Sequence, residues 1–396
     1  MMSLTTLPAA MQRGIAFVWD FLCPRWRWAW VMGGALALYV ATIAGGFGHG
    51  RIPVGNALAC VAAGLVTFAC LWVATRAALP TPLAAVWRQL PPAAQWRGWR
   101  AVLTLALLWI PWHGFIAQLP DDLRGHYHND AIAFVHIDAD LLRTGQNPYT
   151  ADGAFWSAVV RWPNAFATPL LGSPAFGSDP LNYPSSAAQG KQLALELAHP
   201  ALRGAVNFDP QTVHNYPGGI IWLALPFVWV GLPSVVWLNG VALLALLMLL
   251  LWRAPAAERA GVLVAFLANP VMWLYTLLEN FDVTCVVFIA AAWLLWPRVP
   301  LSPLLLGIAA AVKQLAWFFI PFYVVEVWRR EGRDAALRRA GWLALGFVAL
   351  NLPFILASPG AWLRGLLAPQ TDALFPIGYG AVALGLGGLA PLRPLV

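Results

Sequence analysis

The chain has 396 residues, 60% of them hydrophobic and only 10% charged, where a soluble domain carries roughly a quarter charged residues. A soluble fold of this composition would expose far too much apolar surface, which points to an all-α polytopic membrane protein. The net charge of +7 does not argue for a nucleic-acid partner, because the basic residues sit in short clusters between apolar segments and not on one stripe.

Residues 1–27 hold Arg13, Arg25 and Arg27 against Asp20 alone, so this end is expected in the cytoplasm. The first 20 residues lack the basic start, apolar centre and small-residue site of a cleavable signal peptide. Apolar spans follow at about 28–48 and 54–74. The next loop, 75–100, carries Arg76, Arg88, Arg97 and Arg100 and no acid, a second cytoplasmic signal. A third span at about 101–118 delivers the chain to the other side. The four cysteines, Cys23, Cys60, Cys70 and Cys285, all lie in or at the start of apolar segments, so no disulfide framework or Cys-rich metal site is indicated. The 23 tryptophans suit a chain with many membrane–water boundaries.

The stretch from His126 to Tyr149 is the chemical centre of the sequence. His126, His128, Asp130, His136, Asp138 and Asp140 crowd an otherwise apolar neighbourhood, and Gly145-Gln-Asn-Pro-Tyr149 ends it with a turn. It opens a loop, 119–216, far longer than connections without a function usually are. Apolar spacing predicts helices over about 131–144 and 187–201, lying along the outer membrane face.

Asp130 stands beyond the third span, where a carboxylate can take the proton of an attacking hydroxyl or equally cap a helix. Asp138-Ala-Asp140 is a D-x-D pattern able to hold a divalent cation, though residues two apart on a helix point to different sides. The histidine spacing matches no strong zinc motif, so His128 and His136 are read as orienting Asp130 or bonding a sugar hydroxyl. Tyr149 and Tyr216 offer rings that can stack on a sugar or anchor at the interface.

After Tyr216, spans are expected at about 217–232, 234–252, 260–276, 282–297, 301–324, 340–357 and 378–394, ten in all with the first three. The loop 329–339 is rich in arginine and falls on the cytoplasmic side by the crossing count. The chain divides into 1–118 with three spans, the extracytoplasmic loop 119–216, and 217–396 closing a cavity. Lys313 with Gln314 falls in the middle of span 301–324, too deep to snorkel, so it implies an anionic partner: Glu279, Asp282 or a ligand phosphate. Glu279-Asn280-Phe281-Asp282 cannot face lipid and either lines a cavity or forms a loop at the inner interface. Arg364 in an outer loop and Arg298 at an outer span end are candidate clamps for a lipid phosphate. No Walker or dinucleotide-binding pattern is present, which argues against an ATP-driven pump and against a Rossmann nucleotide enzyme, and no internal repeat is apparent, which counts against a transporter.

Asp130 followed by Gly145-Gln-Asn-Pro148-Tyr149 resembles the first outer loop of GT-C-type membrane glycosyltransferases. It is most similar to the bacterial polyprenyl-phosphate-mannose-dependent mannosyltransferases. Tyr216-Pro217, Asn269-Pro270 with the break ending in Asp282, Lys313 ahead of Pro321, and Asn351-x-Pro353-Phe354 follow in the family's order. The chain differs in having two spans before the one that leads to the Asp, a longer loop after Tyr149, and Glu-Asn-Phe-Asp at the polar break. The resemblance implies Asp130 as catalytic base, a polyprenyl-phosphate sugar as donor, and reaction outside the bacterial cytoplasmic membrane. The expected acceptor is an envelope lipid or glycan, and no cofactor is expected unless Asp138 and Asp140 hold a divalent cation. A glycolipid or organic-anion transporter with Lys313 and Asp282 at its midplane is the alternative, and a structural subunit of an envelope complex a third.

Overall fold

The computed structural model describes residues 26–45, 53–74, 119–127, 130–151, 214–256, 259–267 and 280–371, with isolated positions between them. Among the described residues the regular structure is entirely helical. The helices are α1 (Trp26–Gly45), α2 (Val54–Ala74), α3 (Asp130–Arg143), α4 (Gly219–Trp229), α5 (Val236–Arg253), α6 (Arg259–Leu267), α7 (Asp282–Leu294), α8 (Leu301–Val312), α9 (Ile320–Glu331), α10 (Arg333–Ala357) and α11 (Pro359–Thr371). A short 3-10 helix, Gln314–Phe319, lies between α8 and α9.

Among the described residues, three segments are long and apolar enough to cross a membrane: Val54–Val73 in α2, α5 and α10. At 18 residues, α5 reaches roughly 27 Å, close to the thickness of a hydrocarbon core. The apolar helices α4, α7 and α8 are shorter. α1 and α2 form a hairpin whose contact uses small side chains: Ala41, Ala57, Cys60 and Ala63 are buried together. The Thr67 hydroxyl there bonds the Ala63 and Gly34 carbonyls. Cys60, Cys70 and Cys285 are buried free thiols.

The main core joins α3, α4, α5, α7, α8 and α10. α7 and α8 are an antiparallel pair, and α8 lies along α10. That last contact depends on glycine. A Cβ on Gly346 would come within 2.6 Å of the Leu304 carbonyl oxygen, and one on Gly307 would overlap the Leu343 carbonyl. Close backbone approach through small residues is how helices associate where no hydrophobic drive separates helix from lipid.

One end of this bundle is tied by a buried arginine. Arg339, 3% exposed, donates to both carboxylate oxygens of Glu331 at 2.6 and 2.8 Å, to the Trp296 carbonyl at 2.9 Å and to the Tyr323 hydroxyl at 3.0 Å. Ser302 donates to the Ala292 carbonyl, so Tyr323, 2.7 Å away, must donate to Ser302. The chain of bonds links the ends of α7, α8, α9 and α10.

Two sequence expectations change here. Arg298 was expected at an outer span end, but it lies in the α7–α8 connection next to Trp296. It therefore shares an end with Arg329, Arg330 and Arg339 and is remote from Lys313. The 13-residue length of α7 separates the two ends. The continuous span 301–324 is likewise broken: Lys313 is extended, with φ −154° and ψ 143°, between α8 and the 3-10 turn. Pro321 explains part of this, since its ring and missing N–H bar a regular helix from running through the turn before it, while it is tolerated in the first turn of α9. The helix expected over 187–201 lies outside the described residues.

Candidate functional site

The break at Lys313 opens at the bundle end opposite Arg339. Asp282 begins α7, and its backbone N–H is held by the Asn280 side-chain oxygen at 2.8 Å. The Asn280 carbonyl accepts from Asn239 of α5 at 2.7 Å, and Thr284 bonds the other end of the Asn239 amide at 3.1 Å. This fixes the start of α7 against α5. From there Asp282 meets the Lys313 ammonium at 2.5 Å. Because Lys313 has left the helical path, its side chain reaches across to α7 and also lies over the Tyr216 ring, 5.5 Å from the centroid. The neighbouring Gln314 donates to the Asn215 carbonyl at 2.5 Å and the Leu366 carbonyl at 3.2 Å, so its amide stitches the break to the segment preceding α4 and to α11.

Asp130 is the first residue of α3, half-buried, where the helix N-terminus favours a carboxylate. Burial raises the Tyr216 phenol above its ordinary value; Lys313 pulls it back, and the charges of Asp130 and Asp282 push it up again. Asp282, Lys313 and Tyr216 thus meet here, with Asn280 and Gln314 as the frame, and the charge of Asp130 reaches the Tyr216 phenol. An acid, a cation and an aromatic face in one place, with a second acid within electrostatic reach of the ring, can position an anionic group and take up a proton.

Other candidates turn out to be built into the fold. His136 is 2% exposed, not open to a sugar. The Tyr127 hydroxyl accepts from the Val235 N–H at 2.8 Å and shares a hydrogen bond of 2.7 Å with His136 Nδ1, while His136 Nε2 faces Asp140. Burial, with Arg161 helping, lowers the His136 pKa to about 4 against the weaker pull of Asp140. The D-x-D pair is divided as helical geometry requires. Asp138 is buried against His214, whereas Asp140 takes Arg161 at 2.6 Å and Arg143 at 3.2 Å, so the two carboxylates do not share a cation. Tyr149 is buried too, its hydroxyl donating to the Tyr216 carbonyl at 2.7 Å and its ring packed on Phe354, which removes it as a sugar platform. Arg364 is exposed on α11, two positions from the Leu366 whose carbonyl Gln314 uses, hence on a different side of that helix. His128 and Glu279 lie outside the described residues.

His214, Asn239 and Tyr127 were not singled out by sequence. A lone polar residue in an apolar helix was the available signal for Asn239. His214, two residues before Tyr216, carried none.

Beside the Asn239 face, α5 also lines an apolar groove of about 320 Å³ with Val236, Gly240 and Leu243, closed by Leu119, Leu123 and Phe266.

Two measurements check this description. Lys313→Met leaves the Asp282 carboxylate without its cation. Because the Asp282 side chain is 36% exposed, the loss falls below that of a fully buried pair, about 1–2 kcal/mol. Thermal unfolding in detergent should show it, with Lys313→Met/Asp282→Leu recovering most of the deficit.

The second check concerns His136. An imidazole held at about 4 in the folded chain and near its ordinary 6.5 when unfolded contributes nothing at neutral pH. As pH falls from 6.5 towards 4 the unfolded chain gains a proton that the folded one refuses, so up to about 3 kcal/mol is lost. Asp122, raised to about 7 by burial and then by Asp121, acts with the opposite sign and recovers stability on acidification. The difference in stability between the parent and His136→Asn should therefore move in the variant's favour below pH 6.5, whatever Asp122 does to both.

No family model, no curated protein and no solved structure matches this chain.

Proposed function

We propose that the chain is an integral-membrane glycosyltransferase of about ten spans in a bacterial cytoplasmic membrane. It moves a hexose or pentose, mannose among them, from a polyprenyl-phosphate donor to an envelope lipid or glycan acceptor on the extracytoplasmic side. The observation that carries this reading is the meeting of Tyr216, Asp282 and Lys313 at one mouth of the helical core, with the charge of Asp130 reaching the Tyr216 phenol. The arginines 298, 329, 330, 333, 338 and 339 gather at the other end, and such clusters stay on the cytoplasmic side. α7 measures roughly 20 Å from that end to Asp282, less than the thickness of a bilayer core, so the ion pair sits within membrane depth and a lipid phosphate reaches it without leaving the bilayer. The groove along α5 offers room for part of the prenyl tail.

In the reaction, Asp130 takes the proton of the acceptor hydroxyl as its oxygen bonds to the anomeric carbon. The bond from that carbon to the phosphate oxygen breaks, and the leaving lipid phosphate keeps the electron pair. Lys313 stabilises the charge that develops there, once the phosphate has drawn it from Asp282. Asp282, Asn280 and Gln314 hold the break in shape around the sugar.

The second reading, a transporter of a glycolipid or organic anion, is favoured by the ion pair at a broken helix, a feature of carrier midplane sites. Proteoliposomes containing the protein, radiolabelled polyprenyl-phosphate mannose and an envelope extract separate the two. A label that becomes covalently attached to the acceptor supports transfer. Label that crosses the bilayer with no new glycosidic bond overturns it and leaves the carrier.

A further inference from the structure

Asp138 and His214 form a buried acid–imidazole pair that the proposed chemistry does not use. The residues are 1% and 6% exposed, and the contact runs from the Asp138 carboxylate to His214 Nδ1. They come from distant parts of the chain: Asp138 is on the central turn of α3, His214 on the segment entering α4. The three residues 214–216 are held from two sides. On the α3 side lie the Asp138–His214 pair and the Tyr149 hydroxyl on the Tyr216 carbonyl, with the Tyr149 ring edge-on to His214 at 4.9 Å. On the other side Gln314 takes the Asn215 carbonyl, and Lys313 lies over the Tyr216 ring. A three-residue segment carrying a functional ring is thereby clamped between the helix that begins with Asp130 and the break that carries Lys313.

We propose that Asp138 and His214 are positioning residues: their buried pair fastens the 214–216 segment to α3 and so sets the Tyr216 ring against the Lys313 ammonium and in register with Asp130. The pairing suits the task, because a buried carboxylate without a charged or hydrogen-bonding partner is costly, so the segment has one favourable seat on α3. A hydrophobic contact at the same place would allow sliding that a directed pair does not. The importance of the pair for transfer rests on the glycosyltransferase reading; its effect on Tyr216 does not.

The test uses the full chain in nanodiscs with 3-fluorotyrosine placed at position 216, read by fluorine NMR. Lys313→Met marks the resonance of a ring without its cation. His214→Gln and Asp138→Asn should each shift the signal towards that position or broaden it, and the exchanged pair Asp138→His/His214→Asp should move it part of the way back. If a single variant does not fold, Tyr149→Phe, which deletes one hydroxyl from the same clamp, should shift the signal in the same direction. In the transfer assay His214→Gln should lower kcat by about 10- to 100-fold, as a small misplacement of reacting groups does, with little change in donor KM. A fluorine resonance unmoved by the folded variants overturns the positioning role. A resonance that moves in a parent protein unable to transfer sugar upholds the clamp and removes the transferase reading alone.

Discussion

Replacing Gly307 with leucine is expected to unhinge the core, costing on the order of 3 kcal/mol or more, at the upper end of what overpacking does. α8 and α10 meet backbone to backbone at Gly307 and Gly346, and the Leu343 carbonyl occupies the space a Cβ would need. The obstruction is main chain, so it cannot be relieved by a rotamer change. Separating the helices would in turn pull on Gly219, where a Cβ would overlap the Ala311 carbonyl, and on Gly218, whose N–H is held by Asn351 at 2.8 Å. Gly307→Ala should show the same effect in weaker form, while Gly341→Ala, at a position with open space, should be neutral or slightly stabilising through helix propensity. Thermal unfolding of the three variants in detergent gives the ranking. Equal midpoints for Gly307→Leu and Gly341→Ala would refute the close packing of α8 on α10.

The largest effect on activity is expected at Asp130. Asp130→Asn should lower kcat for sugar transfer by about 10²- to 10⁴-fold, the usual contribution of a general base, with donor KM nearly unchanged. The substitution keeps size and hydrogen-bonding shape, and asparagine caps a helix as well as aspartate does. It therefore separates the two roles open to a carboxylate at the first position of α3. Were Asp130 only a cap, Asn and Ser would both retain activity and Asp130→Ala would lower the melting temperature. Were it the base, Asn, Ser and Ala would all be inactive, with Asn as stable as the parent. An active Asp130→Asn protein would remove the mechanism proposed above.

Much of the helical layout was legible because it follows from local pattern. The helix expected over 131–144 is found at Asp130–Arg143, and the apolar segments around 54–74, 234–252 and 340–357 hold the three long apolar helices. The partner of Lys313 was narrowed correctly to three choices, since a deep cation demands an anion, and Asp282 is the one it meets. What sequence could not give was direction. Whether the break at 280–282 belonged to an inner loop or to the site depended on the number of crossings before it, and the same count misplaced Arg298. Side-chain roles within α3 were equally out of reach. His136, Asp138 and Asp140 look alike as ionisable residues in a row, but helical geometry sends them to Tyr127, His214 and Arg161 respectively. Three different partners from three parts of the chain leave no local trace.

The Arg339 knot has a mechanical consequence. From α10 one buried guanidinium bonds Glu331 and Tyr323 of α9 and the Trp296 carbonyl of the α7–α8 connection, while at the far end the Asp282–Lys313 pair is open enough for water to compete. Strain on the bundle is therefore relieved first at Lys313, where the backbone has already left the helical path, and last at the arginine.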